Sequence, residues 1–181
     1  LLGGLELANL MITHMRLSQI ALTVSDDAGR VRTGIDESNI YEVFEGANLI
    51  GRDLDFANRG RVVLSSLEPN GLSGTNAGQK INWQRCFGAL GVAPRYGRQG
   101  AGSTDASLAA GMGPTGNKIT AGASTAVMFV EVSYNYTPVL FSGLESAVGT
   151  IRYESAFNVR ERTNQTITNT QDRKSTRLNS S

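Results

Sequence analysis

A short glycine-rich segment is the first place where the residue types could bind a phosphate group. In residues 111–120 (GMGPTGNKIT), Gly111 and Gly116 have the five-residue spacing of a phosphate-binding loop. Such a loop follows a strand and opens a helix, whose first N–H groups then face the phosphate. Here the lysine is displaced by one position, since Asn117 separates Gly116 from Lys118, and the segment has no clear strand before it and no apolar-periodic helix after it. The sequence therefore predicts a turn-rich loop at this place.

Nucleophilic and metal chemistry have few residues available. The single histidine, His14, and the single cysteine, Cys86, exclude an internal disulfide and leave too few ligands for a multi-ligand zinc site. No Gly-x-Ser-x-Gly elbow occurs, and the acid pair Asp26/Asp27 lies at an expected helix end, where solvated acids are common. We therefore expect no catalytic residue, no metal, no cofactor and no small-molecule substrate.

Glu6 and Cys86 are the two side chains for which a contact role can be argued. Glu6 stands in an apolar run (LLGGLELANLMI), and an ionisable group inside lipid is costly and usually paired. If this run is a membrane anchor, we expect Glu6 to dock to a polar group or N-terminus of a neighbouring subunit; in a soluble core helix it would face water. Cys86 is either a half-buried sheet residue or part of an intermolecular disulfide in an oxidising periplasm.

The element that carries Glu6 is a predicted N-terminal helix over residues 1–28. Its apolar stripe at spacings of four and three comprises Leu10, His14, Leu17, Ala21, Val24 and Ala28. Gly29 is the expected C-terminal stop. The helix is almost wholly apolar up to Ile12 and starts at Leu1 within an apolar run, so we expect the second half of a truncated transmembrane anchor. A buried core helix is the alternative.

The rest of the chain changes from helical to strand periodicity. Residues 36–49 predict a second helix, with Asp36 or Ser38 as its cap. Four segments look like strands: 61–67 is short and β-branched, and 79–87, 126–136 and 150–160 alternate between apolar and polar residues. One-sided alternation predicts an antiparallel sheet with one face in water. Residues 90–124 are a long irregular loop rich in Gly and Ala. The predicted fold class is α+β, with the first helix packed on a sheet of about four strands.

Charge and composition exclude one class of partner. The 181 residues include 17 basic and 16 acidic side chains, for a formal net charge of +1. The aromatic residues of the last two strands (Tyr134, Tyr136, Tyr153 and Phe157) lack the basic groove that single-stranded nucleic acid requires, so we expect them in the core and no nucleic acid as partner. We expect a folded domain over residues 29–162 and a disordered tail over 163–181. Its last ten residues, 172–181 (DRKSTRLNSS), resemble a translated sequencing adapter.

Several segments together resemble the TadE-like proteins of bacterial tight-adherence pilus systems. In chain order they are GGLELANLMITHMRLSQIALTVSDDAGR, GRVVLSSLE, INWQRCFG, GMGPTG, VMFVEVSYNY and FNVRER. The likeness extends from Gly3 to about Arg162. It rests on the order and spacing of motifs that are individually weak.

This resemblance implies a pilin-like minor subunit, not an enzyme. It implies a single-pass protein of the bacterial inner membrane, with a periplasmic α+β domain after the helix. The implied partners are other pilus-assembly subunits, both pilin-like proteins and the inner-membrane platform. Subunits of this kind associate through apolar helices, so the expected docking residues are Glu6, Leu10 and Leu17. The alternatives are a periplasmic module that binds a ligand or partner through loop 90–124, and a soluble hydrolase.

Overall fold

The computed structural model describes residues 2–31, 34–140, 142–159 and 164–168. Its helices are α1 (Leu2–Arg30), α2 (Glu37–Gly51), α3 (Phe56–Arg59) and α4 (Leu144–Val148), and its strands are β1 (Ile35–Asp36), β2 (Gly60–Pro69), β3 (Gln79–Phe87), β4 (Val127–Asn135), β5 (Thr150–Asn158) and β6 (Ile167–Thr168). The fold class is α+β, as predicted, with the N-terminal helix packed on an antiparallel sheet of four strands.

The four-stranded sheet has the order β3-β2-β4-β5, and every neighbouring pair is antiparallel. All four strands coincide with the predicted segments to within two residues at each end, which is the usual uncertainty of strand boundaries. β2 and β4 are central and buried, whereas β3 and β5 form the two edges. The position of β5 at an edge, directly beside α1, matters for the surfaces described below.

Helix α1 packs its predicted stripe against the sheet and against α2. Leu17, Ala21, Val24 and Ala28 are each at most 2% exposed, and Leu10 packs at the margin of the same core. The C-terminal half of α1 therefore belongs to the core of the folded domain. The predicted stop at Gly29 is wrong, because the helix continues to Arg30 and Gly29 has another role. A Cβ at Gly29 would lie 2.5 Å from the Cδ1 atom of Phe157.

We predict that Gly29→Ala destabilises the fold by about 1–2 kcal/mol, because overpacking against Phe157 outweighs the better helix propensity of alanine. The matched control is Gly46→Ala in the middle of α2, where a new Cβ meets no atom within 4 Å. We expect that control to raise the free energy of unfolding by up to about 1 kcal/mol. Urea denaturation of both variants checks the prediction, and a stabilised Gly29→Ala would contradict it.

Helix α2 begins at the predicted cap. The Asp36 carboxylate accepts from the Asn39 N–H at 2.8 Å, and the Asn39 side chain accepts in return from the Asp36 N–H. In the first turn, Glu37 is 1% exposed and pairs with Arg85 of β3, with Oε1 2.5 Å from Nη2 and 2.9 Å from Nε. This buried ion pair ties the start of α2 to the sheet.

A β-bulge in β3 changes which residues face the helices. The register shifts between Ser66, which pairs with Trp83, and Leu67, which pairs with Ile81, so Asn82 is the extra residue. Trp83 therefore packs in the core beneath α1 and α2, whereas Ile81 packs on the opposite face of the sheet. The predicted alternation, which put both side chains on one face, is wrong at this point.

The second face of the sheet is covered, so the prediction of a wet face is wrong for most of it. The connection between β3 and β4, residues 88–126, folds back over that face and is called here the covering loop. Leu108, Met112 and Ala121 of this loop are buried. They pack with sheet residues Leu67, Ile81, Val127 and Phe129. The covering loop is rich in glycine and alanine, so its few buried apolar residues did not stand out in the sequence.

Residues 164–168 lie within the fold, although a disordered tail was predicted from residue 163. Ile167 pairs with Ile35 in the short parallel contact of β6 with β1. The indole N–H of Trp83 donates to the backbone oxygen of Gln165 at 3.0 Å, which satisfies a buried donor. The adapter-like segment 172–181 lies outside the described residues.

Candidate functional site

The N-terminal part of α1 leaves a group of large apolar side chains exposed. We call residues 2–12 the helix tip. Five side chains of the helix tip are at least half exposed, and they are Leu2, Leu5, Leu7, Met11 and Ile12. Only one side of the tip meets the domain, so apolar residues placed all round the helix leave most of its circumference in solvent. A contiguous exposed apolar surface of this kind is typical of a protein–protein or membrane contact.

Glu6 fixes the helix tip to the segment that follows β4. Its Oε1 atom accepts from the Tyr136 hydroxyl at 2.5 Å, and its Oε2 atom accepts from the N–H groups of Val139 and Leu140 at 3.1 and 2.8 Å. The Asn9 amide donates to the same Tyr136 oxygen at 2.9 Å. Burial and the hydrogen bond to Glu6 raise the pKa of Tyr136, so the phenol stays protonated and keeps donating.

The segment held by Glu6 extends the apolar surface of the helix tip. Val139 and Leu140 are both exposed, and their backbone N–H groups are held by the Glu6 carboxylate. These two exposed residues therefore lie at the same end of the molecule as the helix tip. The large exposed side chains of this surface are all apolar. Glu6 lies beneath them and is 4% exposed.

Two open grooves run between α1 and the edge strand β5. One holds about 530 Å³ and the other about 450 Å³. The first is lined by His14, Met15, Ser18, Gln19, Leu22, Thr23 and Tyr153. His14 and Tyr153 meet across it, with His14 Nδ1 3.0 Å from the Tyr153 hydroxyl. The second groove reaches Ser155, whose hydroxyl lies 2.8 Å from that of Ser25. Asp26 and Asp27 also line the second groove.

The segment 111–120 does not form a phosphate-binding loop in the structure. Met112 and Ile119 form an isolated antiparallel bridge, and Met112 is fully buried in the contact of the covering loop with the sheet. Within the described ranges, no helix starts in or directly after this segment, so no helical N-terminus faces it. The prediction of a turn-rich loop is confirmed.

Among the described residues, no group of three or more His, Cys, Asp or Glu side chains could hold a metal ion. In the described part of the chain, no helix is long and apolar enough to cross a membrane.

Comparisons of the chain with models of protein families, with curated proteins and with solved structures give no match. The candidate site is therefore defined by its geometry. It consists of the helix tip, the adjoining Val139 and Leu140, and the Glu6 hydrogen bonds that hold the two together.

The three predicted docking residues have different surroundings in the structure. Leu17 is 0% exposed and belongs to the core, and Leu10 is partly buried at its margin. Glu6 already binds groups of its own chain, so its observed partners are Tyr136, Val139 and Leu140. The exposed residues of the tip, Leu7 and Met11 among them, were not singled out by the sequence. The signal for them was the nearly complete apolar character of the run up to Ile12.

Cys86 is buried in β3, opposite Val63 of β2. Its side chain is on the face that the covering loop occupies, and the residue is 3% exposed. An intermolecular disulfide at this position would require local opening of the sheet or the loop. Of the two predictions for Cys86, the observed position therefore favours the sheet residue over the intermolecular disulfide.

Proposed function

We propose that the chain is a structural subunit of a bacterial tight-adherence pilus-assembly system, located at the inner membrane with its α+β domain in the periplasm. The observation that carries this proposal is the exposed apolar surface of the helix tip. Pilin-like subunits associate through apolar helices, and the resemblance of the sequence to TadE-like proteins supports the same assignment.

The hydrogen bonds of Glu6 give the helix tip a fixed direction relative to the domain. Three donors, from Tyr136, Val139 and Leu140, hold one carboxylate, so bending the tip away would leave charged and polar groups without partners. A rigid tip loses little conformational entropy when it binds a partner helix. Glu6 would thus support assembly by positioning the tip, while the surrounding leucines and methionines make the contact.

A helix-tip variant tests the proposal. In Leu5→Gln/Leu7→Gln/Met11→Gln, the apolar contact surface is lost, and we expect cross-linking to inner-membrane pilus-assembly subunits to fall at least tenfold. The measurement is photo-cross-linking in a bacterium that carries an intact tight-adherence system, with the photoreactive residue at Ile12. Because the substituted side chains are exposed, we expect the free energy of unfolding to change by no more than about 0.5 kcal/mol each.

The control places the same photoreactive residue at Glu42, an exposed position on α2 outside the helix tip. Cross-links from Ile12 to pilin-like or platform proteins, absent from position 42 and from the triple variant, would support the proposal. Equal cross-linking from both positions, or none from Ile12, would contradict it.

A further inference from the structure

The outer edge of β5 is unpaired in the described part of the chain. An unpaired edge exposes a row of backbone N–H and C=O groups, which readily accept another strand. Natural proteins commonly protect such edges with charged side chains, proline or a bulge. β5 (TIRYESAFN) has no proline, and its two charged residues, Arg152 and Glu154, are of opposite sign, so a second copy of the strand can pair with them.

The charges of β5 are complementary to those of a second β5 in one register. In an antiparallel pair related by a two-fold axis perpendicular to the sheet, a central residue faces its own copy. With Tyr153 at the centre, Arg152 of each copy lies opposite Glu154 of the other, whose carboxylate also accepts from the Tyr96 hydroxyl at 2.8 Å and pairs with Arg95 at 3.4 Å in its own chain. Centring the pair on Arg152 or on Glu154 would place like charges opposite each other, which is destabilising. Among these three registers, the charges of the edge favour the one centred on Tyr153.

The helix layer fits the same two-fold axis. α2 contacts one flank of α1, where Arg16 pairs with Asp53 at 2.8 Å. The opposite flank of α1 faces the β5 edge, as the contacts of His14 with Tyr153 and of Ser25 with Ser155 show. No helix of the described residues covers that flank next to the edge. Its free apolar side chains are Met15, 72% exposed, and Leu22, 59% exposed.

The spacing of the layers permits contact between the two copies of α1. Strands are about 4.8 Å apart, and α1 lies over β4 and β5, so pairing at the β5 edge brings the two helix axes to about 10 Å. The axes of packed helices are roughly 8–10 Å apart, so this separation permits the two copies of α1 to touch. The helix residues that line the groove with Tyr153 are centred on Ser18 and Gln19. A two-fold axis at Tyr153 therefore sets Met15 of one copy opposite Leu22 of the other.

We propose that this protein forms a homodimer in which the β5 edges of two copies pair antiparallel about Tyr153, joining their sheets into one of eight strands. Across the interface, Arg152 pairs with Glu154, and Met15 packs against Leu22 in the groove between the two α1 helices. The surface differs from the helix tip, so the dimer does not depend on the proposed function. Either can fail without the other.

Cysteine cross-linking tests the register. In a Cys86→Ser background, Tyr153→Cys is expected to give a disulfide-linked dimer on mild oxidation, because self-opposed residues in this register have Cα atoms about 4.5–5.5 Å apart. The matched control is Thr150→Cys on the same strand, whose two copies would be separated by about 20 Å. Dimer from position 153 with little from 150 supports the proposal. Equal yields at both positions, or none at 153, overturn it.

A mass measurement provides an independent test in case Tyr153→Cys impairs folding. The sample is the full chain with the three helix-tip substitutions, which remove contacts through the helix tip. We expect light scattering to give a mass of twice the 19.3 kDa of one copy. Arg152 is exposed, and Arg152→Glu places acids opposite one another, so the dissociation constant should rise at least tenfold. Arg52→Glu, an exposed charge reversal outside this edge, should leave the dimer intact. A monomeric parent, or an Arg152→Glu variant that dimerises as well as the parent, overturns the proposal.

Discussion

Replacement of Glu37 by alanine is expected to lower the free energy of unfolding by about 3–5 kcal/mol, the largest effect of any single substitution proposed for this protein. Glu37 is 1% exposed, and its carboxylate accepts from Arg85 Nη2 at 2.5 Å and from Arg85 Nε at 2.9 and 3.2 Å. Alanine would leave the Arg85 guanidinium buried without its counter-charge. It would also detach the first turn of α2 from the sheet.

The test separates the ion pair from the general effect of removing an acid. Glu42→Ala, at an exposed position on the same helix, should change stability by no more than about 0.5 kcal/mol. The double variant Glu37→Met/Arg85→Met should recover much of the loss, because it removes both charges together. Guanidinium denaturation measures all three variants. A loss below about 1 kcal/mol for Glu37→Ala would show that water reaches Arg85 once its partner is gone.

Replacement of Glu131 by glutamine is expected to make the protein more stable than the parent above pH 7, by up to about 3 kcal/mol. Glu131 lies on β4 beneath the covering loop, where its Oε1 atom accepts from the Arg95 N–H at 2.8 Å. Its Oε2 atom is buried with no hydrogen-bond partner among the described residues. Burial raises the pKa of Glu131 from 4.5 to about 7; Glu154, directly opposite on β5, adds to the rise, and Arg95 and Arg152 oppose it.

The direction of the pH dependence follows from proton binding. Between pH 4.5 and about 7, the folded protein retains at Glu131 a proton that the unfolded chain has released. The free energy of unfolding therefore falls as the pH rises through this window, and the loss persists at higher pH. Glutamine cannot ionise, so the Glu131→Gln protein should lack this decline. Glu42→Gln is the control, and urea denaturation at pH 4.5 and pH 8 is the measurement. An unchanged decline in the Glu131→Gln protein would contradict the prediction.

The elements of this fold were predictable because each has a local signal. Period-two alternation marked β3, β4 and β5, and a short β-branched segment marked β2. The stripe from Leu10 to Ala28 marked the buried side of α1. Residue type allowed Asp36 or Ser38 as the cap of α2, and the structure has Asp36. These signals are local because backbone geometry fixes which side chains share a face.

What escaped prediction depends on contacts between distant parts of the chain. The bulge at Asn82 places Ile81 and Trp83 on opposite faces of the sheet, and no residue type next to it in the sequence indicates a bulge. The pairing of Glu37 with Arg85 joins positions 48 residues apart. The hydrogen bonds of Glu6 to the segment after β4 join residues that are still farther apart in the sequence. Glu6 was predicted to dock to another subunit, but in the structure it positions the helix tip.

The order of the strands also has a consequence for how the chain folds. β2 and β3 are joined by a short connection and can pair early, whereas β4 must reach the other side of β2 after the 88–126 segment. Closing a loop of that length costs conformational entropy before any of its contacts form. We therefore expect the docking of β4 to be the rate-limiting step of folding. Until it occurs, β2 has a bare apolar edge, which makes the early hairpin the species most prone to aggregate.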